Sequence, residues 1–564
     1  MPRLRLSPRL LLLPLWCLHA ARLGWIQRGR PWLTARVDAR HALPPPEALR
    51  AAATAPIAGV HLHIVDLPAT GWASLQAVRD ALLAVRAAGH AVVIEIEQAG
   101  NAEMYLASAS TRTVLRPHAH VNLLGVGAAM RFAGEALARL GLRFDVESAG
   151  AYKSFGEAFS RPFASAQNRE AMRTLVDDLQ SQLEDALATR LGGPNARATV
   201  RQALADAPLH ARDALARGLV DAVAYPDEVE AELDADGERR RVEVATWWKR
   251  RQTAERFTGQ IEGAERVVVV HLEGNVVDGD GAPGRPSIAA GPVVEALDKL
   301  AEDERLRAVV LHVRSGGGSA AASDLIWRAV TRLAESKVVV AAFGDTAASG
   351  GYYLAAGARE IVAQPGTLTG SIGVVGGKLV VGAAAERLGV HTELLLGAPM
   401  AGYLSVNRPF EPEERARFRA QLKDTYTAFL EVVAAGRHTT AAALEPHAQG
   451  RVWTGARARE IGLVDHLGGI ELAVARAAAL AGLERVRRVD QQVGPRQGWA
   501  QRVLRRFVGA VVAQGARTAL LPDFSGRPWT EALGLDDTTR ALLEGDGHPL
   551  ALSLEADRLS RATR

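Results

Sequence analysis

Residues 337–358 read "KVVVAAFGDTAASGGYYLAAGA", with Ser349 between Ala348 and Gly350. The opening "KVVVAAF" is apolar and β-prone, and "GYYLAAGA" reads as the start of a helix. A serine where a strand turns into a helix has the layout of a nucleophile elbow. Backbone N–H groups at such a helix start can hold an oxyanion. Serine is a poor nucleophile without an adjacent base. Asp345 is the acid nearby and the stretch holds no histidine, so the base is sought elsewhere in the chain.

Working outward, the stretch belongs to a repeat. "YLASASTRTVLRPHAHVNLLGVGAAMRFAGEALARLGL" begins at Tyr105, and "YLAAGAREIVAQPGTLTGSIGVVGGKLVVGAAAERLGV" begins at Tyr353. The two align without gaps at an offset of 248 residues (353 − 105), placing Pro117 on Pro365, Gly125 on Gly373 and Gly141 on Gly389. Upstream, "GVHLHIVDLPATG" resembles "AVVLHVRSGGGSA" at nearly the same offset. A tandem duplication is expected, with a first copy over 35–225 and a second over 265–490. Each copy alternates short apolar runs with amphipathic helical stretches, which predicts parallel βαβ units in an α/β fold. Residues 226–264 are charged and read as a helical connector, with Trp247 and Trp248 packing on a repeat.

The 564 residues are 48% hydrophobic and 23% charged, with a formal net charge of +4. That composition suits a globular chain of more than one domain. The basic residues are scattered, which argues against nucleic acid as a partner. One cysteine, Cys17, leaves no internal disulfide framework and no zinc cluster, and neither metal nor cofactor is expected. Residues 1–34 carry Arg3, Arg5 and Arg9 before the apolar "LLLLPLWCL" of Leu10–Leu18. This pattern reads as a secretion signal or membrane anchor, placing the remainder on the outer side of the cytoplasmic membrane. The tail, 491–564, contains "GPRQGWAQRVLRRFVGAVVAQGARTALLP", a basic amphipathic helix that suits a membrane surface or the protein's own surface.

Each copy serves as a control for the other. Ser349 falls on Asn101, Ser371 of "TGSIGVVGG" falls on Leu123, and "RSGGGSAAAS" (Arg314–Ser323) falls on "VDLPATGWAS", which lacks the triple glycine. Serines and glycine loops of the kind that chemistry needs therefore cluster in the second copy. None of that copy's histidines lies in a triad-like motif. Lysine is the other candidate base, because burial lowers its pKa, and it occurs six times: Lys153, Lys249, Lys299, Lys337, Lys378 and Lys423. Lys249, Lys299 and Lys423 lie on charged helical faces, and Lys337 closes a helix. Lys378 is a rival. Lys153, in "SAGAYKSFGEAF" of the first copy, falls opposite Leu404 when the copies are aligned there through "AGYLS". One copy lacks the serine and the other lacks the lysine, as a composite site shared between them would require.

"DTAASGGYYLAAGA", "TGSIGVVGG", "AGAYKSFGEAFSRPF" and "GRVWTGARAREIGLVDHLGG" together resemble the signal peptide peptidase A family, serine peptidases of the long, duplicated bacterial type. The resemblance runs from about residue 50 to 480. It implies a Clp protease/crotonase-like α/β superhelix in tandem duplication and a serine/lysine dyad built across the repeats. It also implies a membrane-attached homotetramer acting on peptides, cleaved signal peptides among them. Carried over by motif, Ser349 is the nucleophile, Lys153 the general base and Ser371 the residue orienting the lysine. The N–H groups of Gly318 and Gly350 form the oxyanion hole. The glycine loop departs from the family's "SPGG": Gly316 stands where the proline is usual. Two other readings of the same fold are a crotonase-like acyl-CoA enzyme and a non-catalytic membrane scaffold. The split serine/lysine pair and the "YKS" and "RVWTG" motifs argue against the first, and the presence of both Ser349 and Lys153 argues against the second.

Overall fold

A computed structural model describes residues 28–493 except 236, 238, 263, 264 and 282–285, together with the isolated positions 17, 21 and 24. Apart from Cys17, the apolar Leu10–Leu18 stretch lies outside the described residues, as does the basic helix expected after residue 493. Among the described residues no helix is long and apolar enough to cross a membrane.

The first half contributes β1 (Trp32–Val37), β2 (Gly59–Ile64), β3 (Ala91–Ile96), β4 (Ala99–Gly100), β5 (Arg112–Leu115), β6 (His120–Asn122), β7 (Arg143–Ala149), β8 (Leu209–His210), β9 (Ala222–Val223) and β10 (Arg241–Glu243). The second contributes β11 (Glu265–Glu273), β12 (Asn275–Val277), β13 (Ser287–Ala289), β14 (Ala308–Ser315), β15 (Val338–Ala348), β16 (Glu360–Ala363), β17 (Leu368–Gly370), β18 (Val374–Val380), β19 (Val452–Thr454), β20 (His466–Leu467) and β21 (Val486–Gln492). The sheets run β10-β1-β2-β3-β5-β9 and β21-β11-β14-β15-β16-β20, and beyond the end of β15 the pairing continues through β17 to β19. Neighbours in both six-strand runs are parallel, which bears out the α/β expectation.

The strand sequences explain the layers. In β14, Val309, Leu311 and Val313 enter one core while Ala308 and Val310 enter the other. A parallel strand covered on both faces needs such an unbroken apolar run. In β2, Val60, Leu62 and Ile64 are fully buried, whereas His61 and His63 turn to the opposite face and pair with Glu95 and Glu97. Trp247 has no exposed surface and belongs to the first core, with Trp248 packed against it.

Residues 226–264 are more than a connector. Helix Pro226–Leu233 packs Val229 and Leu233 on the outer face of the first sheet, and β10 is that sheet's edge, paired with β1. Likewise β21 extends to Gln492, past the expected end of the second copy, and pairs with β11. Both are edge strands rich in charge, and such strands carry little hydrophobic signal.

Candidate active site

β15 ends at Ala348, and the helix Gly350–Ala355 starts directly after Ser349. Ser349 has φ 53° and ψ −122°, a left-handed φ that costs a non-glycine residue about 1–3 kcal/mol. The conformation is held from both sides. Its N–H donates to Gly370 O at 2.9 Å, and its carbonyl accepts from Tyr352 and Tyr353. Glycine is needed next to it, since a Cβ on Gly350 would stand 2.4 Å from Ser323 Oγ. At Gly317, with φ 109°, a Cβ would come within 2.8 Å of Ser349 Cβ and of Gly350 N.

Lys153 reaches this serine from the other half. Its Nζ lies 3.0 Å from Ser349 Oγ, 2.9 Å from Ser371 Oγ and 2.9 Å from Ser371 O. A neutral amine has two N–H groups and one lone pair. Ser371 offers two acceptors, so the lone pair is left for the Ser349 hydroxyl. The amine is enclosed even though the residue is only part-buried. Burial lowers its pKa from the ordinary 10.5 to about 7, because no solvent remains to stabilise the charged form.

The ribbon β7–β18 carries the lysine across. These strands pair antiparallel from Val374 opposite Ala149 to Val380 opposite Arg143. Lys153 follows β7 by four residues and Ser371 precedes β18 by three, so the ribbon fixes both. Ion pairs from the helix Pro412–Gly436 anchor it. Arg415 holds Asp145 at 2.6 Å and also meets Glu147, which Arg419 holds at 2.7 Å. The aromatic neighbours of Lys153 in the chain, Tyr152 and Phe155, have partners of their own. Phe155 is half exposed and packs on Phe159, while the Tyr152 hydroxyl donates to Glu170.

Residues 449–451 close the site. Tyr152 N–H donates to Gln449 O, Gly450 N–H to Ile372 O and Ser371 N–H to Arg451 O. Gly450 has φ 81°, and a Cβ there would lie 2.6 Å from Lys153 Cβ. Arg451 lies between the rings of Tyr152 and Trp453 and bonds Glu170 at 2.9 Å. The "GRVWTG" motif contains Gly450, Arg451 and Trp453, but only the structure shows that they brace the lysine.

Gly318 and Gly350 also meet here. The bridge of Gly318 with Val276 uses Gly317 O and Ser319 N–H, so the N–H of Gly318 is turned away from it. A Cβ on Gly350 would lie 3.3 Å from Gly318 N. Neither N–H donates a hydrogen bond among the described residues. Two unpaired donors converging beside a serine hydroxyl suit an oxyanion.

The other candidates fall elsewhere. Lys378 donates to Tyr403 O and lies over the Phe410 ring at 4.2 Å. Asp345 accepts from Ser74 N–H at 2.8 Å and Ser74 Oγ at 2.6 Å, capping the helix Trp72–Ala87, whose own N-cap residue is Gly71. His312 meets His271, which meets Asp490. Burial and the neighbouring His271 push the His312 pKa down to about 3, so it stays neutral. In the first half, Asn101 bonds both N–H and C=O of Gly125, Leu123 is buried and Leu404 is exposed. An amide there closes on backbone where Ser349 faces an amine.

The model of peptidase family S49 matches residues 84–239 and again 331–484. The chain is similar to "Serine protease SPPA, chloroplastic" of Arabidopsis thaliana, 30% identical over 496 residues, covering 86% of this chain and 70% of that protein. It is similar to "Protease 4" of Salmonella typhi, 31% identical over 443 residues, 76% of this chain and 70% of that one. It is also similar to "Protease 4" of Haemophilus influenzae, 27% identical over 428 residues, with 74% and 68% covered.

Proposed function

This chain belongs to peptidase family S49 and is a serine peptidase, and from that premise we propose that Ser349 and Lys153 form its catalytic dyad. The observation that carries the reading is the 3.0 Å approach of Lys153 Nζ to Ser349 Oγ by an amine whose pKa lies at about 7.

The Lys153 lone pair accepts the Ser349 proton as Oγ bonds the peptide carbonyl carbon. The carbonyl π pair moves to oxygen, and the N–H groups of Gly318 and Gly350 hold that oxyanion, a contribution of about 3–4 kcal/mol per donor. Collapse of the tetrahedral intermediate breaks the C–N bond, and the lysine gives its proton to the leaving amine. Water, deprotonated by the same lysine, then attacks the acyl-enzyme; the C–Oγ bond breaks and the lysine returns that proton to Ser349 Oγ. Ser371 keeps the amine directed at Ser349 by accepting its two N–H bonds.

The matching order of elements in the two halves supports a tandem duplication of one Clp protease/crotonase-like unit. The copies span about 35–225 and 265–490, with 226–264 joining them. Substrates are peptides, cleaved signal peptides among them, and the working form is a homotetramer attached to the outer side of the cytoplasmic membrane. The Arg3–Leu18 pattern and the family resemblance support this placement. The test is labelling with a fluorophosphonate followed by peptide mapping. Label on Ser349 supports the reading, and label absent or on another serine rejects it.

A further inference from the structure

Between residues 112–141 and 360–389 the two halves match at the sequence offset of 248. β5 and β16, β6 and β17, and the helices Gly134–Arg139 and Gly382–Arg387 all occupy equivalent residues. The two strands of the ribbon have no equivalent strand at that offset. β7 begins two residues after Gly141, and its counterpart begins two residues after Gly389, over 391–397. β18 has its counterpart over 126–132. Neither counterpart lies in a strand or a helix. Apart from Val126 N–H, which reaches Gln180, their backbone groups make no hydrogen bond among the described residues.

β7 of the first half pairs with β18 of the second. The segment equivalent to β7 in the second half and the segment equivalent to β18 in the first half are thus a donor and an acceptor left over at the two ends of the same succession. We propose that residues 391–397 of one copy of this chain pair antiparallel with residues 126–132 of a second copy. The β7–β18 register carried over by the offset sets Val126 opposite Gly397 and Phe132 opposite His391.

The side chains fit that register. Gly127, Ala128 and Ala129 face Leu396, Leu395 and Leu394, so small residues on one strand receive bulky ones from the other. Leu395 is 89% exposed in the single chain and Leu396 44%. The unpaired edges explain why this surface needs a partner. The contact is head-to-tail, the kind that closes into a ring when the rotation allows. It rests on the assembly reading above only in requiring a second copy, and it gives that assembly its interface.

The test is disulfide trapping in a Cys17→Ser background, where no other cysteine exists. Ala128→Cys/Leu395→Cys and the adjacent Ala129→Cys/Leu394→Cys cover both faces of the ladder. Ala128→Cys/His391→Cys, four residues out of register, is the control, beyond the Cα separation of about 7 Å that a disulfide tolerates. The expected result is a ladder of chain multiples on a non-reducing gel for at least one in-register pair and none for the control. An intrachain disulfide, no cross-link, or equal cross-linking by the control overturns the proposal. As a second measurement, Leu394→Pro/Leu395→Pro should bring the solution mass down to the 60.0 kDa of one chain, and an unchanged larger mass overturns it. Fluorophosphonate labelling of the same samples separates the two readings. Label without cross-link rejects only the interface, and cross-link without label rejects only the peptidase site.

Discussion

Lys153 Nζ lies 3.0 Å from Ser349 Oγ although 196 residues separate them in the chain. The approach depends on a ribbon, β7–β18, with one strand from each half. Neither half alone holds both groups.

Removing the nucleophile should therefore abolish turnover without unfolding the protein. Ser349→Ala is expected to lower kcat by at least about 10³-fold, as for members of a catalytic unit that act together. Its thermal midpoint should stay close to the parent's, because alanine keeps the backbone and removes one hydroxyl. Asn101→Ala should leave kcat within about two-fold, since that amide bonds the backbone of Gly125, away from Ser349 and Lys153. Peptide hydrolysis and a melting curve check all three statements.

The pH dependence follows from the pKa of about 7. Hydrolysis needs the neutral amine, so kcat/KM should rise with pH through about 7 and then level off. The sign for stability runs the same way. The folded pKa lies below the unfolded value, so between about 7 and 10.5 the unfolded chain binds the extra proton and Lys153 adds stability as pH rises. Lys153→Met should be most favourable to stability, relative to wild type, at pH 7 or below and lose that advantage toward pH 10. Melting temperatures of the two proteins across this range test it.

Gly450→Ala should displace the lysine. The position has φ 81°, and the new methyl would meet Lys153 Cβ at 2.6 Å. A drop in kcat of about 10²-fold is expected, in line with a 1 Å misplacement of a reacting group, with KM changed less. Wild-type kinetics would mean that the 449–451 loop does not set the lysine.

Asp345 stands four residues before Ser349, yet it should behave as a structural residue. Asp345→Ala removes the cap of the helix Trp72–Ala87 and should cost about 1–2 kcal/mol of stability. The inflection of the pH–rate profile should stay in place. A shifted inflection would make Asp345 part of the proton path.

Much of this architecture was legible in the sequence, because the repeat aligns without gaps and its strands are apolar runs. The two site residues stood out as opposite gaps in the two copies, Asn101 against Ser349 and Leu404 against Lys153. What could not be read came from long-range pairing. β10 and β21 are charged edge strands with little apolar pattern. Asp345 looked like a candidate acid because its partner, Ser74, lies 271 residues away. The brace at Gly450 and Arg451 needed the fold, since a glycine turn has the same sequence whether or not a lysine packs on it.

The most direct test of the cross-half dyad is kcat/KM for a peptide substrate in Lys153→Met beside Lys378→Met. Methionine keeps the length and removes the proton acceptor. We expect Lys153→Met to lose at least about 10³-fold and Ser349→Ala/Lys153→Met to be no worse than either single change. Lys378→Met should stay within about ten-fold of wild type, because that amine is spent on Tyr403 O. Lys153→Met retaining most of the activity, above all while Lys378→Met loses it, would contradict the account.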